Sequence, residues 1–163
     1  MNIYVLPVEQ AAGCLLYTFA MILETEPDIL IKELGHDGME KIWPSLPEPY
    51  CYKGFHIQEM IDLCIARELH CTEIQATPAS LPPSEAYGHM DSHNIGHHMI
   101  FESRRNTARF KDHLKGREGV LYGRTNKGVT HAWAWDGEKA HNPQSGTGVV
   151  SLGDIRVSTC WLI

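Results

Sequence analysis

The chain has 163 residues, 43% of them hydrophobic and 21% charged, with a formal net charge of −6 at pH 7. That length fits one domain, residues 1–163, large enough to bury a core. No apolar run approaches the roughly 20 residues that span a bilayer, so no membrane is expected as partner; no basic-then-apolar leader opens the chain, and the acidic balance argues against nucleic acid as the main partner.

Leu15, Leu16, Phe19, Ile22 and Leu23 recur at helical spacing, which predicts a first helix over 14–24. Pro27 ends it. Asp28 is placed to cap a second short helix that Gly35 stops. Pro44, Pro47 and Pro49 make the stretch from Trp43 to Tyr52 an extended surface loop. Ile57, Met60, Ile61 and Cys64 mark a third helix, about 56–68, and Cys71–Ala76 reads as a strand. Residues 77–98, rich in Pro, Ser, Gly and His, read as a long irregular segment of the kind that carries function. A short helix over 106–114 follows. Beyond Gly116 the pattern turns to period two, with strands over 120–124, 129–135, 138–142, 149–152 and 157–162. Helices followed by a run of strands is the α+β signature, and the close spacing of the late strands makes their sheet antiparallel.

The chemistry lies in three distant residues. Asp136-Gly137 between two alternating runs predicts a two-residue hairpin turn. That register sets Trp135 against Glu138, Ala134 against Lys139, Trp133 against Ala140, Ala132 against His141 and His131 against Asn142. An Asn there can accept the imidazole Nδ1–H and leave Nε2 free. Cys14 opens the first helix, where dipole and unpaired backbone N–H groups favour a thiolate. The small residues Ala11, Ala12 and Gly13 before it let a substrate backbone approach. Nucleophile, base and orienter are thus all present.

Three segments carry a family resemblance: VEQAAGCLLYTFAMIL (8–23), GVLYGR with THAWAWDG (119–137) and AHNP (140–143). Together the chain resembles the papain-fold cysteine peptidases, nearest to the bacteriocin-processing branch and its small bacterial and phage relatives. The resemblance implies a papain-like fold, with an N-terminal helix packed on an antiparallel sheet, and hydrolysis of a peptide or isopeptide bond. Cys14 is then the nucleophile, His131 the general base and later acid, and Asn142 the orienter. Gln10 joins the Cys14 N–H in an oxyanion hole. Gln10 precedes Cys14 by four residues, closer than the family's usual spacing, and Leu15 stands where that branch has glycine. No cofactor or metal is needed, and the partner is a peptide or protein substrate. An acyl or amine transferase and an inactive peptide-binding module remain the alternatives.

The other candidates read more plainly. Five cysteines, without a CxxC or an export leader, fit a reduced cytoplasmic setting. Cys64 and Cys160 read as inert core thiols; Cys51 and Cys71 stay unassigned. His89, His93, His97 and His98 with Asp91 form a histidine-rich stripe, but Gly88, Ser92, Asn94 and Gly96 oppose the helix that zinc ligation would need. Arg104, Arg105, Arg109, Lys111, Lys115 and Arg117 read as a solvated helix face. His36 and Asp37 beside Gly35 and Gly38 mark a helix-stop turn. Asp136, as a turn residue, is not the third member of the triad, and His141 points away from His131. Trp133, on the His131 face, reads equally as a shield for the His131–Asn142 bond or as core.

Overall fold

The computed structural model describes residues 1–7, 13–47, 52–77, 98–101, 112–125, 130–144, 148–150 and 155–163. Among these residues three helices, α1 (Cys14–Ile22), α2 (Pro27–Leu34) and α3 (Ile57–Ala66), precede all the strands. The strands are β1 (Thr72–Thr77), β2 (His98–Phe101), β3 (Gly119–Thr125), β4 (Thr130–Trp135), β5 (Ala140–His141), β6 (Val149–Val150) and β7 (Ile155–Leu162). They form one seven-stranded sheet in the order β2-β1-β7-β3-β4-β5-β6. The fold is α+β, and every pairing is antiparallel except β1 with β2, which run parallel. No described helix is long and apolar enough to cross a membrane.

Period-two alternation divides the core into two layers. Val120, Ala132, Ala134 and Trp161 face α1, where Leu16, Phe19, Met21, Met60 and Cys64 complete the first cluster. Leu121, Trp133, Trp135, Cys160 and Leu162 face the other side with Ile74 and Leu114. Trp135 also donates its indole N–H to the Leu114 carbonyl at 2.8 Å, so its one polar atom is satisfied. The alanines of β4 leave room for α1 to lie close against the sheet. Residues Leu15 through Ile22 are all buried, which is why α1 is apolar on every side rather than striped. Its buried Thr18 hydroxyl donates to the Cys14 carbonyl at 2.7 Å, one turn back.

The other helices follow their end signals. Pro27 is the first residue of α2 rather than merely the stop for α1, because the donor that proline lacks is unused at that position. Glu26, not Asp28, occupies the cap position; Asp28 lies in the first turn. Gly35 ends α2 at φ 80°, a left-handed conformation that costs glycine little. His56 caps α3 by accepting the Gln58 N–H at 3.1 Å, while Glu59 accepts the His56 N–H at 2.7 Å. Glu59 also lies 2.7 Å from His36 Nε2, which ties the post-α2 turn to α3. The proline-rich loop is closed by an Ile42–Tyr52 bridge, and Trp43 stands exposed at its mouth. Strand β2 falls at the end of the segment read as irregular; residues 78–97 lie outside the described residues. Of the helix expected over 106–114, Asp112–Leu114 are described and helical.

Candidate functional site

The β4–β5 hairpin turns one residue later than its sequence predicts. Asp136 and Lys139 form the closing pair: the Asp136 N–H donates to the Lys139 carbonyl at 3.1 Å, so Gly137 and Glu138 are the loop. Gly137 has φ 94° and Glu138 is not among the positive-φ residues, as in a type II′ turn, which needs glycine only at its first position. The Asp136 carboxylate fixes this choice. Its Oδ1 accepts the Glu138 and Lys139 N–H groups at 2.9 and 2.6 Å. The pairing becomes Trp135 with Ala140 and Ala134 with His141, two residues away from the expected register.

A shift of two preserves which face each side chain occupies. His131 and Asn142 therefore still share a face, but as diagonal neighbours rather than a direct pair. Their side chains meet at 2.8 Å, between His131 Nε2 and Asn142 Oδ1. The nitrogen bonded is Nε2, not the Nδ1 that the direct-pair register implies. The Gln144 N–H donates to the same Oδ1 at 2.9 Å. A backbone N–H can only donate, so it sets the amide with its oxygen toward the ring, and Nε2 must carry the proton. In the neutral ring Nδ1 is then the open, basic nitrogen. Trp133 meets the ring edge-on at 4.9 Å between centroids and is 1% exposed, so it both covers the ring and belongs to the second core layer.

The sheet ends where the thiol sits. Carried one step further, the β4–β5 register sets Pro143 opposite Ala132. Pro143 has no N–H, and its carbonyl accepts the Leu6 N–H at 2.7 Å. The Ala132 N–H lies near Cys14, where it favours the thiolate. The N–H groups of Leu15 and of Cys14 itself, at the open start of the helix, act in the same sense. Cys14 is accordingly held against β4 at the residue that follows His131.

Burial acts against the expected thiolate. It pushes the Cys14 thiol above its ordinary 9.0 despite the three N–H groups that favour the anion. Burial also holds His131 below its ordinary 6.5, partly offset by the Asn142 hydrogen bond. Both effects favour a neutral thiol and a neutral imidazole, the reverse of the low thiol value that the helix dipole alone implies.

Gln10, with Ala11 and Ala12, lies outside the described residues, as do Cys51, His89, Asp91, His93, His97, Arg104, Arg105, Arg109 and Lys111. Only the backbone of His98 is described, at the start of β2. Among the described residues no group of His, Cys, Asp or Glu is arranged to hold a metal ion. Cys64 and Cys160 are fully buried, and burial raises both thiols; it takes the half-buried Cys71 to about 11. His141 bonds Asp136 Oδ2 at 2.6 Å, so the turn carboxylate serves His141 and not His131.

Two participants carry little signal in the sequence. One is the Ala132 N–H, which comes near Cys14 only through the docking of α1 on β4. The other is the Gln144 N–H, for which Asn-Pro is a recognised turn opening. No protein-family model matches this chain, and no curated protein or solved structure is significantly similar to it.

Proposed function

We propose that this protein is a papain-like, cysteine-dependent hydrolase that cleaves an amide bond, peptide or isopeptide, through an acyl-enzyme on Cys14. One observation carries the reading. The His131 ring is fixed through Nε2 by an amide oxygen, with Nδ1 left basic, while Cys14 lies near the very next backbone N–H of the same strand, that of Ala132.

The reaction follows from these groups. Cys14 and His131 start neutral, so the thiol proton passes to His131 Nδ1 as Sγ attacks the carbonyl carbon. The imidazolium keeps its Nε2–H on Asn142, which orients the ring and carries no charge of its own. The tetrahedral intermediate collapses as His131 returns the proton to the leaving nitrogen. Water, activated by the neutral ring, then hydrolyses the thioester. Gln10 is the family's side-chain donor to the oxyanion.

The test is cleavage of a complex peptide mixture, read as new N-termini by mass spectrometry, with the parent, Cys14→Ala and His131→Ala. New termini from the parent alone are expected, and hydroxylamine should intercept the acyl group on Cys14. Equal yields from parent and Cys14→Ala would remove the proposal. Capture of peptides without turnover would favour a binding module, and transfer to an added amine in preference to water a transferase.

A further inference from the structure

Asn142 orients His131 from a point where the β4–β5 ladder has already ended. That ladder pairs Ala134 with His141 and Trp135 with Ala140, and Asn142 lies one residue beyond it. From there its backbone turns into a second hairpin. The Asn142 N–H donates to the Gly148 carbonyl at 2.8 Å, and His141 and Ala140 pair with Val149 and Val150. The Gln144 N–H donates to the Asn142 side chain at 2.9 Å. These bonds shape the β5–β6 hairpin, but all of them move with it. None of them sets how far Asn142 stands from His131.

One backbone bond reaches outside that hairpin. The Leu6 N–H donates to the Pro143 carbonyl at 2.7 Å. Among the described residues it is the backbone hydrogen bond that fastens residues 142–144 to the body of the protein. Both partners are well seated: Pro143 is fully buried, and Leu6 belongs to the α1-side core. Tyr4 packs on the same core, while Ile3 and Val5 are exposed, the alternation of an extended strap lying along the surface. The Tyr4 hydroxyl adds a long bond to Glu26 at 3.4 Å, just ahead of α2. The strap over residues 1–7 precedes α1 in the chain, so one N-terminal region both carries Cys14 and grips the turn behind Asn142.

We infer that the N-terminal strap is a clamp: through its N–H, Leu6 is a positioning residue that keeps the Asn142 amide within bonding distance of His131. Leu6 touches no reacting atom and acts only through Asn142. The inference rests on His131 and Asn142 having the roles proposed above. A base displaced by a fraction of an ångström loses much of its worth, so the clamp should be visible in the rate.

The test separates the Leu6 N–H from its side chain. Leu6→Pro removes the N–H, whereas Leu6→Ala shortens the buried side chain and keeps it; circular dichroism and urea midpoints check both folds. In ¹H–¹⁵N spectra the His131 Nε2–H, buried and bonded, should be protected from exchange in the parent and in Leu6→Ala, and lose that protection in Leu6→Pro. Acylation of Cys14 by p-nitrophenyl acetate should be about tenfold slower in Leu6→Pro than in Leu6→Ala. In an Asn142→Ala background the two Leu6 variants should not differ, because the residue through which Leu6 acts is gone. A protected His131 signal in Leu6→Pro overturns the inference, and so does an equal slowing in the Asn142→Ala background. If Leu6→Pro does not fold, amide exchange in the parent decides. One opening should release the Leu6 N–H and the His131 ring N–H together, and a ring proton that stays protected while the Leu6 N–H exchanges freely overturns the clamp. Acylation that proves independent of Cys14, with the His131 signal still following Leu6, removes the proposed function and leaves the clamp standing.

Discussion

His131 and His141 stand on the two arms of one hairpin, and each is bonded through Nε2 to a side-chain oxygen. The partners differ. His141 meets the Asp136 carboxylate at 2.6 Å in a half-buried position, and His131 meets the Asn142 amide at 2.8 Å, 3% exposed. A carboxylate bonded to the ring at this distance suits a fixed brace at the turn. An amide fixes orientation without adding charge, and burial then keeps the ring neutral and able to accept a proton. Similar geometry thus gives a brace in one arm and a proposed base in the other.

The contrast breaks most visibly at the rings themselves. His131→Ala is expected to slow acylation of Cys14 by p-nitrophenyl acetate about 10²-fold or more at neutral pH, the usual worth of a positioned base. His141→Ala should stay within about threefold of the parent. Equal losses would mean that both rings merely support the hairpin.

Exchanging the partner gives a smaller effect. Asn142→Asp supplies His131 with the kind of partner His141 has and still accepts the Gln144 N–H. The new charge raises the value at which His131 protonates, so the acid limb of the acylation profile moves to higher pH, by about one unit. Asp136→Asn should leave that limb in place. A limb that does not move in Asn142→Asp would show that His131 is not the group being titrated.

The least effect is on stability against pH. The folded state holds His131 below 6.5, so as pH falls the unfolded chain takes up that proton first. Stability is intact above about 6.5 and declines as pH drops toward the folded value. Burial pushes the Asp136 carboxyl up, but the bonds from His141, Lys139 and Glu138 outweigh it and leave it below 3.8. Its contribution holds above 3.8 and is lost only as pH falls through that lower value. Urea midpoints across pH should show two separate declines. His131→Gln should remove the upper one alone, and an upper decline that survives would assign it elsewhere.

The sequence makes local matters legible and leaves long-range ones hidden. The spacing of Leu15, Leu16, Phe19 and Ile22 is enough to find α1, although burial extends round the whole helix. Gly35 and Pro27 mark real ends through what they do to the backbone. Asp136-Gly137 announces a hairpin, yet the turn sits one residue later, because the Asp136 side chain is used as an acceptor and only Gly137 needs positive φ. The meeting of His131 and Asn142 survives that slip by parity. The parallel β1–β2 pair is illegible, since no local pattern tells which distant segment will lie beside β1. The Leu6–Pro143 hydrogen bond is illegible too, because it joins segments that are most of the chain apart.

The single oxygen of Asn142 serves both the imidazole and the exit turn. A substitution library at this position, sorted only for well-folded protein, should therefore return mainly Asn and Asp, the two short side chains with an acceptor at that reach. Persistence of Asn142 among variants cannot then be counted as selection for turnover, whereas a preference for Asn over Asp can.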